Sequence, residues 1–175
     1  MNKQKLLLEL QRLYVTIMME VIGKGLVAAS EVDDEIAREV AAFPAGLEIE
    51  MIVMPAGPSF RVRVTPHGTL ELANGSTTRP GLSIKVKHLA HAFLVFTFQE
   101  STARAFANDR MVADGEVSYA IRLVRCLDRM EALILPKLVA ERAVKRYPTN
   151  LQLSDKIQKA ARIYALVGKL FLTRS

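Results

Sequence analysis

Few residues of this chain have the types and the spacing that chemistry at a site requires. His88 and His91 are three positions apart, whereas a zinc-binding pair on a helix usually has a spacing of four, with a third ligand nearby. Cys126 has no CxxC partner and lies between Leu123 and Leu127, a pattern that favours a small buried hydrophobe. We therefore predict neither a metal site nor a cysteine nucleophile.

Acid pairs and hydroxyls offer no better arrangement for catalysis. Asp33-Asp34 has the position of charge at a helix start, and Glu48 and Glu50 alternate with apolar residues, as on a solvated strand face. Ser118 has no obvious base, and the sequence has no GxSxG motif and no phosphate-binding glycine loop. The sequence therefore predicts a protein that is not an enzyme and uses no cofactor.

Basic stripes on two predicted helices give a stronger signal. They consist of Arg122, Arg125 and Arg129 on one helix and Lys156, Lys159 and Arg162 on the other. Apolar residues occupy the opposite faces, which is typical of a helix on an anionic membrane surface. Two alternatives stay open: a merely solvated basic face, and a nucleic-acid surface. The last is disfavoured by the absence of Trp, since bases need aromatic side chains for stacking.

Composition and charge set the class of protein. Half of the residues are hydrophobic but only 6% are aromatic, so the interior is aliphatic, as in pliable apolar pockets and in ordinary cores alike. The net charge is +6, and residues 101–175 hold 14 Lys and Arg against 7 Asp and Glu. A single cysteine excludes an internal disulfide. We expect a cytoplasmic protein, peripheral to the inner face of the membrane.

The apolar periodicity predicts two N-terminal helices. The first covers about Gln4 to Ile22 and ends at Gly23 and Gly25, and the second begins at an N-cap Ser30 and ends near Ala42. One apolar stripe of the first helix consists of Leu6, Leu10, Leu13, Ile17 and Val21. Charged residues interrupt this segment, so we predict neither a signal peptide nor a membrane span.

Alternating residues then predict four strands. They cover Leu47–Met54, Phe60–Val64, Thr69–Leu72 and Leu82–Lys87. Their charged faces carry acids, bases, acids and bases in turn, which would pair across a meander and fix its register. The sequence therefore predicts an antiparallel sheet with one apolar face.

Further elements follow the fourth strand. The apolar stretch from Leu89 to Phe98 precedes a short helix from Ser101 to Phe106, and a last strand covers Arg110 to Ala113. A helix then starts at Val117, breaks at Pro136 and continues to about Arg146, and an amphipathic helix covers about Ser154 to Leu172.

The stretch from Ala105 to Leu123 resembles the closing strand–helix unit of the sterol-carrier-protein-type (SCP2-like) lipid-binding domains. The matching positions are Ala105-Phe106, Arg110-Met111, Ala113, Gly115, Ala120 and Arg122-Leu123, whereas Asp109 and Glu116 stand where Gly and Asn are common. The continuation is similar to one bacterial branch, the accessory lipid-binding proteins of quinone synthesis, at Leu127-Asp128, Glu131 and Pro136-Lys137-Leu138. The resemblance covers about Leu47 to Leu138.

This resemblance implies an α+β fold with an antiparallel sheet of about five strands and helices on one face, enclosing an apolar cavity. We divide the chain into an N-terminal helical segment (1–45), a lipid-binding domain (46–147) and a C-terminal amphipathic helix (148–175). The predicted ligand-binding residues are Phe60, Val62, Leu70, Ile84, Val86, Phe93, Phe96, Phe106, Met111, Ile121 and Val124.

The implied function is non-catalytic binding of a lipid, such as an isoprenoid, a quinone precursor or a fatty acyl chain, for presentation or transfer. Expected partners are that ligand, an anionic membrane surface and biosynthetic enzymes. The alternatives are a protein-interaction module, with the terminal helices forming a homodimer or docking on a biosynthetic complex, and, less favoured, a nucleic-acid-binding protein.

Overall fold

The computed structural model describes residues 3–135, 140, 148 and 151–173. Within these residues, helices pack on a five-stranded sheet. The elements are α1 (Lys3–Val32), α2 (Asp34–Ala41), β1 (Glu48–Val53), β2 (Ser59–Val64), β3 (Leu70–Leu72), β4 (Leu82–Val86), α3 (Leu89–Phe96), α4 (Thr102–Ala107), β5 (Met111–Gly115), α5 (Val117–Ile134) and α6 (Leu153–Leu172). The α+β class and the predicted strands are confirmed to within two residues at most ends, and the helix predicted from Pro136 to Arg146 lies outside the described residues.

The sheet is mixed, so the prediction of a purely antiparallel sheet is wrong. Its strand order is β3-β2-β1-β4-β5, and β1 pairs with β4 in parallel, while the other pairs are antiparallel. The connection after β3 returns the chain to the far side of β1. Charge alternation could not reveal this order. In a meander, Lys85 of β4 would pair with an acid on β3, but in the structure its Nζ lies 2.7 Å from Asp114 of β5.

Across β1, β2 and β3 the predicted acid–base pairing is confirmed. Glu48 lies opposite Arg63 and Glu50 opposite Arg61 in the β1–β2 register. The closest N–O distances in these pairs are 2.6 Å and 2.9 Å, and Arg63 also reaches Glu71 of β3 at 3.2 Å. These ion pairs hold the register of three strands, because a slip of one residue would turn every charge towards the core.

Glu48 makes the acid stability of this sheet testable. Hydrogen bonds from Arg63 and then Ser76 lower the pKa of its carboxyl to about 2. In the unfolded chain the pKa of a Glu carboxyl is about 4.3. Between this pH and the folded pKa of about 2, the folded chain binds fewer protons than the unfolded chain. The free energy of unfolding therefore falls as the pH drops through this range. We expect Glu48→Gln to be less stable at neutral pH and to lose less stability between pH 4.5 and 2.

Thermal unfolding of both proteins over this pH range measures the effect. Glu71→Gln is the matched control, because Glu71 binds the same Arg63 but its side chain is 51% exposed. A Glu48→Gln protein that loses as much stability in acid as the wild type would contradict the assignment.

Helix α1 continues through both glycines that were predicted to end it. A Cβ atom on Gly23 would lie 2.9 Å from Cγ of Phe60, and one on Gly25 would lie 2.9 Å from Sδ of Met130. Both glycines therefore allow close contact, the first with β2 and the second with α5, and they do not end the helix. This contact keeps α1 across the apolar face of the sheet.

The prediction that Ser30 caps the second helix is also wrong. Ser30 lies within α1, and its hydroxyl accepts a hydrogen bond from the backbone N–H of Leu70 at 3.0 Å. Asp33 is the N-cap of α2, since its Oδ1 accepts from the backbone N–H groups of Glu35 and Ile36, both at 3.1 Å. The sequence signal was ambiguous because both residues are good caps in consecutive turns.

Helix α1 has two apolar stripes on opposite sides. The stripe that the sequence analysis identified is exposed, and the other stripe is buried in the core. Buried residues are Val15, Met19, Ile22 and Leu26, whereas Leu6, Leu10, Leu13 and Ile17 are 44–57% exposed. By length and composition α1 could span a membrane, but 61% of its most apolar part is buried in the protein, and core helices pass the same test.

One hydrophobic core connects the terminal helices to the sheet. It contains the buried stripe of α1, the inner residues of the strands, one face of α5 and Ile163 of α6. The division into segments 1–45, 46–147 and 148–175 stays a prediction, and in the structure residues from all three contribute to this core.

Candidate functional site

The predicted ligand-binding residues mostly meet on the inner face of the sheet. Buried members are Phe60, Val62, Leu70, Ile84, Val86, Phe96 and Met111, and partly buried ones are Phe93, Phe106 and Val124. Ile121 is 50% exposed on α5, so it lies outside this cluster. Whether any of these residues touches a ligand stays a prediction.

Side chains pack against the inner face of the sheet. Met19 and Leu26 of α1 and Leu123 and Met130 of α5 are all fully buried in the core that contains the strands. At Gly23 the contact with Phe60 leaves no room even for a methyl group. Among the described residues the structure does not show the enclosed cavity that the resemblance implies, so a ligand there would have to displace packed side chains.

An open cleft of about 530 Å³ begins where this packing ends. It lies between α1, the start of β2 and the end of α6. Its apolar lining includes Gly23, Phe60, Leu72 and Leu170. Phe60 belongs both to the cleft and to the packed core, so the cleft adjoins one of the residues that the sequence predicted as a binding site.

Lys24 is a buried cation at this cleft. It is only 5% exposed, its Nζ lies 3.3 Å from Oε2 of Glu20, and it also lies 3.3 Å from the centre of the Phe171 ring. The ring face attracts the ammonium group and the carboxylate neutralises it. Lys24 therefore ties the end of α6 to α1 at the mouth of the cleft.

Arg61 lies on the opposite, polar side of the cleft, and acidic side chains compensate its charge. Its guanidinium binds Glu48 and Glu50 at 3.2 and 2.9 Å and donates to the carbonyl oxygens of Ser76 and Thr78. Of the charged residues that line the cleft, Lys24 and Arg61 balance Glu20 and Glu50. The rim is thus polar without net charge, which suits a neutral polar group on a largely apolar molecule.

The basic stripe of α5 lies against the acids of α2. Arg122 and Arg125 lie 2.7 and 3.3 Å from the carboxylate oxygens of Glu39, and Arg129 lies 3.1 Å from Asp33. Lys159 of α6 also reaches Asp33, at 2.8 Å. These cations bridge helices of the same chain, which sequence patterning did not foresee.

The rest of the predicted membrane surface is on α6. Arg162 is exposed and Lys156 is half-buried. A role of these two residues and of the α5 arginines at an anionic membrane stays a prediction.

Other titratable groups do not assemble into a reactive centre among the described residues. Burial raises the pKa of the Cys126 thiol to about 12, so it is not a ready nucleophile. Burial likewise raises the pKa of Glu131 to about 8. The rings of His88 and His91 lie 5.2 Å apart, and no three His, Cys, Asp or Glu side chains in the described residues are grouped to hold a metal ion.

Sequence reasoning missed Lys24, Gly23 and Leu170. The first two had a usable signal: a lone lysine between two glycines, inside an apolar run from Val21 to Ala29. Such a lysine either follows the end of a helix or lies inside a continuous helix as a buried cation with a partner. The sequence does not distinguish the two cases, because they differ only in whether the helix continues through the glycines. Leu170 had no distinct signal, because it is the first of three consecutive apolar residues, Leu170, Phe171 and Leu172.

Similarity to known proteins lies in the fold. No family model matches the chain, and no curated protein matches it. Sterol carrier protein 2 from Yarrowia lipolytica is similar over 65% of this chain and 89% of its own, with 17% identity and a TM-score of 0.45. The UbiJ-SCP2 ubiquinone synthesis protein is similar over 75% and 96%, with 8% identity and a TM-score of 0.45.

A palmitated SCP2L2 from Aedes aegypti is similar over 62% of this chain and 92% of its own, with 13% identity and a TM-score of 0.41. All three have less than 25% identity to this chain, and their TM-scores lie below 0.5.

Proposed function

We propose that this protein binds a lipid without transforming it, with the apolar part of the lipid entering the core from the cleft at Phe60. The observation that supports this most is the continuity between an open cleft of about 530 Å³ and an aliphatic core. That volume is within the usual range of ligand sites, about 300–1,000 Å³. Each CH₂ group that leaves water contributes about 0.8 kcal/mol.

Helix α6 is the element whose movement would admit the lipid. In its described residues only Ile163 is buried. Its ties to the rest of the chain include Lys159 with Asp33, the Tyr164 hydroxyl with the carbonyl oxygen of Ile134, at 2.7 Å, and the Phe171 ring with Lys24, which this movement would release. Elements with few buried contacts open at low cost in free energy, so a small displacement at Leu170 would extend the cleft along Phe60.

The finer parts of the proposal follow the resemblance in the sequence. The ligand would be an isoprenoid, a quinone precursor or a fatty acyl chain, held for presentation or transfer to a biosynthetic enzyme or a membrane. The neutral polar rim with Asn74 and Ser76 suits a headgroup without net charge. The protein would work in the cytoplasm, at the inner face of the membrane, with its basic residues towards anionic headgroups.

A substitution that fills the cleft tests the site. Leu170→Trp places an indole ring where the lipid would enter, and we expect about tenfold weaker binding of a fluorescent fatty acid or prenol, a cost of about 1.4 kcal/mol. The measurement is fluorescence titration of the full chain.

Leu172→Trp is the matched control, because Leu172 is 84% exposed and does not line the cleft. It is expected to bind like the wild type. Equal affinity of Leu170→Trp and wild type would move the site away from the cleft, and a wild-type chain that takes up neither probe would refute lipid binding.

A further inference from the structure

A second groove lies between α2 and α5, apart from the cleft at Phe60. Its volume is about 520 Å³, within the usual range of ligand sites, about 300–1,000 Å³. The groove and the cleft share no lining residue. The charged side chains along its lining are Arg38, Arg122, Arg125, Arg129, Glu35 and Glu39. We call it the arginine groove.

The arginine groove carries more positive charge than its own acids compensate. Four guanidinium groups line it together with two carboxylates, which leaves an excess of two positive charges. Asp33 also binds Arg129 and Lys159, and this acid and this lysine together leave the excess unchanged. Asp34 and Asp128, acids of the same two helices, do not line the groove. The excess matches a ligand group with two negative charges.

Arg38 and Arg125 retain hydrogen-bond donors for such a group. Arg125 is 61% exposed and lies 3.3 Å from Glu39, which Arg122 binds more closely at 2.7 Å. Arg38 is exposed, and its Nε donates to the backbone carbonyl oxygen of Asp34 at 3.2 Å. In the described part of the chain these contacts engage one nitrogen of each guanidinium, and a guanidinium has five N–H donors. A ligand could therefore bind one arginine from each helix.

Arg129 adds a buried donor to the same lining. Its Nε and Nη2 bind Asp33, whereas its Nη1 is buried and has no hydrogen-bond partner among the described residues. A buried donor without an acceptor is costly, and a ligand oxygen would supply one. The exposed Arg125, one helical turn away, can move aside to admit it. Ile36 and Cys126, each 1% exposed, make the rest of the lining apolar, which strengthens ionic contacts.

We propose that the arginine groove binds a phosphate monoester group, carried either by a soluble molecule or by a lipid. Such a group has about 1.5–2 negative charges at neutral pH, which balances the excess charge of the lining. Guanidinium groups bind phosphate oxygens through two parallel N–H bonds, whereas a lysine ammonium group acts as a point charge. Arg38 on α2 and Arg125 on α5 would hold the group from its two sides. This site does not depend on lipid binding in the cleft.

Isothermal titration calorimetry of the full chain with glycerol 3-phosphate tests the site. We expect saturable binding that is about tenfold weaker in Arg38→Ser and in Arg125→Ser, because each variant loses charge-assisted hydrogen bonds. Arg125→Lys should be weakened as well, since it keeps the charge but loses the paired donors. Arg104→Ser is the matched control and should bind like the wild type, because Arg104 is exposed on α4 and does not line the groove.

Vesicles distinguish the two sources of the phosphate group. Phosphatidic acid presents a phosphate monoester on a bilayer, whereas phosphatidylglycerol presents a diester with a single negative charge. Binding of glycerol 3-phosphate without binding of phosphatidic acid vesicles would assign a soluble ligand. Preferential binding of phosphatidic acid vesicles, weakened by Arg125→Ser, would assign a lipid headgroup.

Several outcomes would overturn the proposal. One is a wild-type chain that binds neither glycerol 3-phosphate nor phosphatidic acid vesicles. Equal binding of dimethyl phosphate, equal binding of phosphatidylglycerol vesicles, or equal weakening by Arg104→Ser would show attraction to surface charge alone. Thermal unfolding of each variant checks that the fold is kept. Uptake of a fluorescent fatty acid by Arg125→Ser separates these results from the proposed function, because the groove and the cleft share no residue.

Discussion

Replacement of Asp33 by alanine is expected to lower the free energy of unfolding by about 3–5 kcal/mol, the usual cost of removing one partner from a buried ion pair. The Asp33 side chain is fully buried. It accepts from Arg129 and Lys159, whose side chains are 12% and 25% exposed, and it caps α2. Without it, Lys159 and the start of α2 would each lose an acceptor, and Arg129 would be left with Glu35, whose Oε2 lies 2.9 Å from its Nε.

The pH dependence of this loss has a definite sign. Burial alone would raise the pKa of Asp33, but hydrogen bonds from Arg129, Lys159 and the backbone of Ile36 outweigh it, so the pKa lies below its ordinary value. The folded chain then binds fewer protons than the unfolded one, and the stabilisation is lost as the pH falls below the unfolded pKa of about 3.9.

Urea unfolding at neutral pH measures the effect, with Asp34→Ala as the matched control. Asp34 is the next acid along the chain and is exposed, so its replacement should cost less than about 1 kcal/mol. Equal costs for the two substitutions would show that the ion cluster of Asp33, Arg129 and Lys159 does not hold α2, α5 and α6 together.

The second large effect is expected at Gly23. Gly23→Val should destabilise the fold by about 1–3 kcal/mol, the cost of adding methyl groups to a packed contact, because its Cβ would lie 2.9–3.1 Å from three atoms of Phe60. The substitution should also weaken lipid binding, since Gly23 and Phe60 both line the cleft. Urea unfolding and fluorescence titration of the same protein give the two readings.

Gly168→Val separates packing from helix propensity. Gly168 lies in α6, and a Cβ there would meet nothing within 4 Å, so the gain in helix propensity over glycine, a few tenths of a kcal/mol, should remain. If both glycine substitutions left stability unchanged, the close packing of α1 on β2 would be refuted.

Local patterns in the sequence predicted the strands well where burial alternates, as it does from Ile49 to Val53 in β1 and through β2. In β2, Phe60, Val62 and Val64 are all buried while Arg61 and Arg63 point to the charged face. Strand order was not accessible in this way. A lysine on β4 could pair with an acid on any neighbouring strand, so charge alternation does not identify the neighbour. The parallel pairing of β1 with β4 depends on a crossover connection, which has no periodic pattern in the sequence.

Burial of α1 shows a second limit. Two aliphatic stripes of equal quality lie on opposite sides of this helix, so hydrophobic periodicity identified a helix but not its inner face. The decisive features were Gly23 and Gly25, which allow α1 to approach the sheet and α5. In the candidate site, the apolar residues were predictable as core residues. The cleft was not predictable, because its position depends on where α6 ends. The burial of Lys24 was not predictable either, because it depends on which helix covers this side chain.

The most direct test of lipid binding is organic extraction and mass spectrometry of the full chain, purified without detergent from the cells that make it. The proposed function predicts a prenyl or acyl lipid in close to equimolar amount, reduced in Leu170→Trp and retained in Leu172→Trp. Protein that carries no lipid, and that also fails to take up a fluorescent fatty acid or prenol, would contradict it.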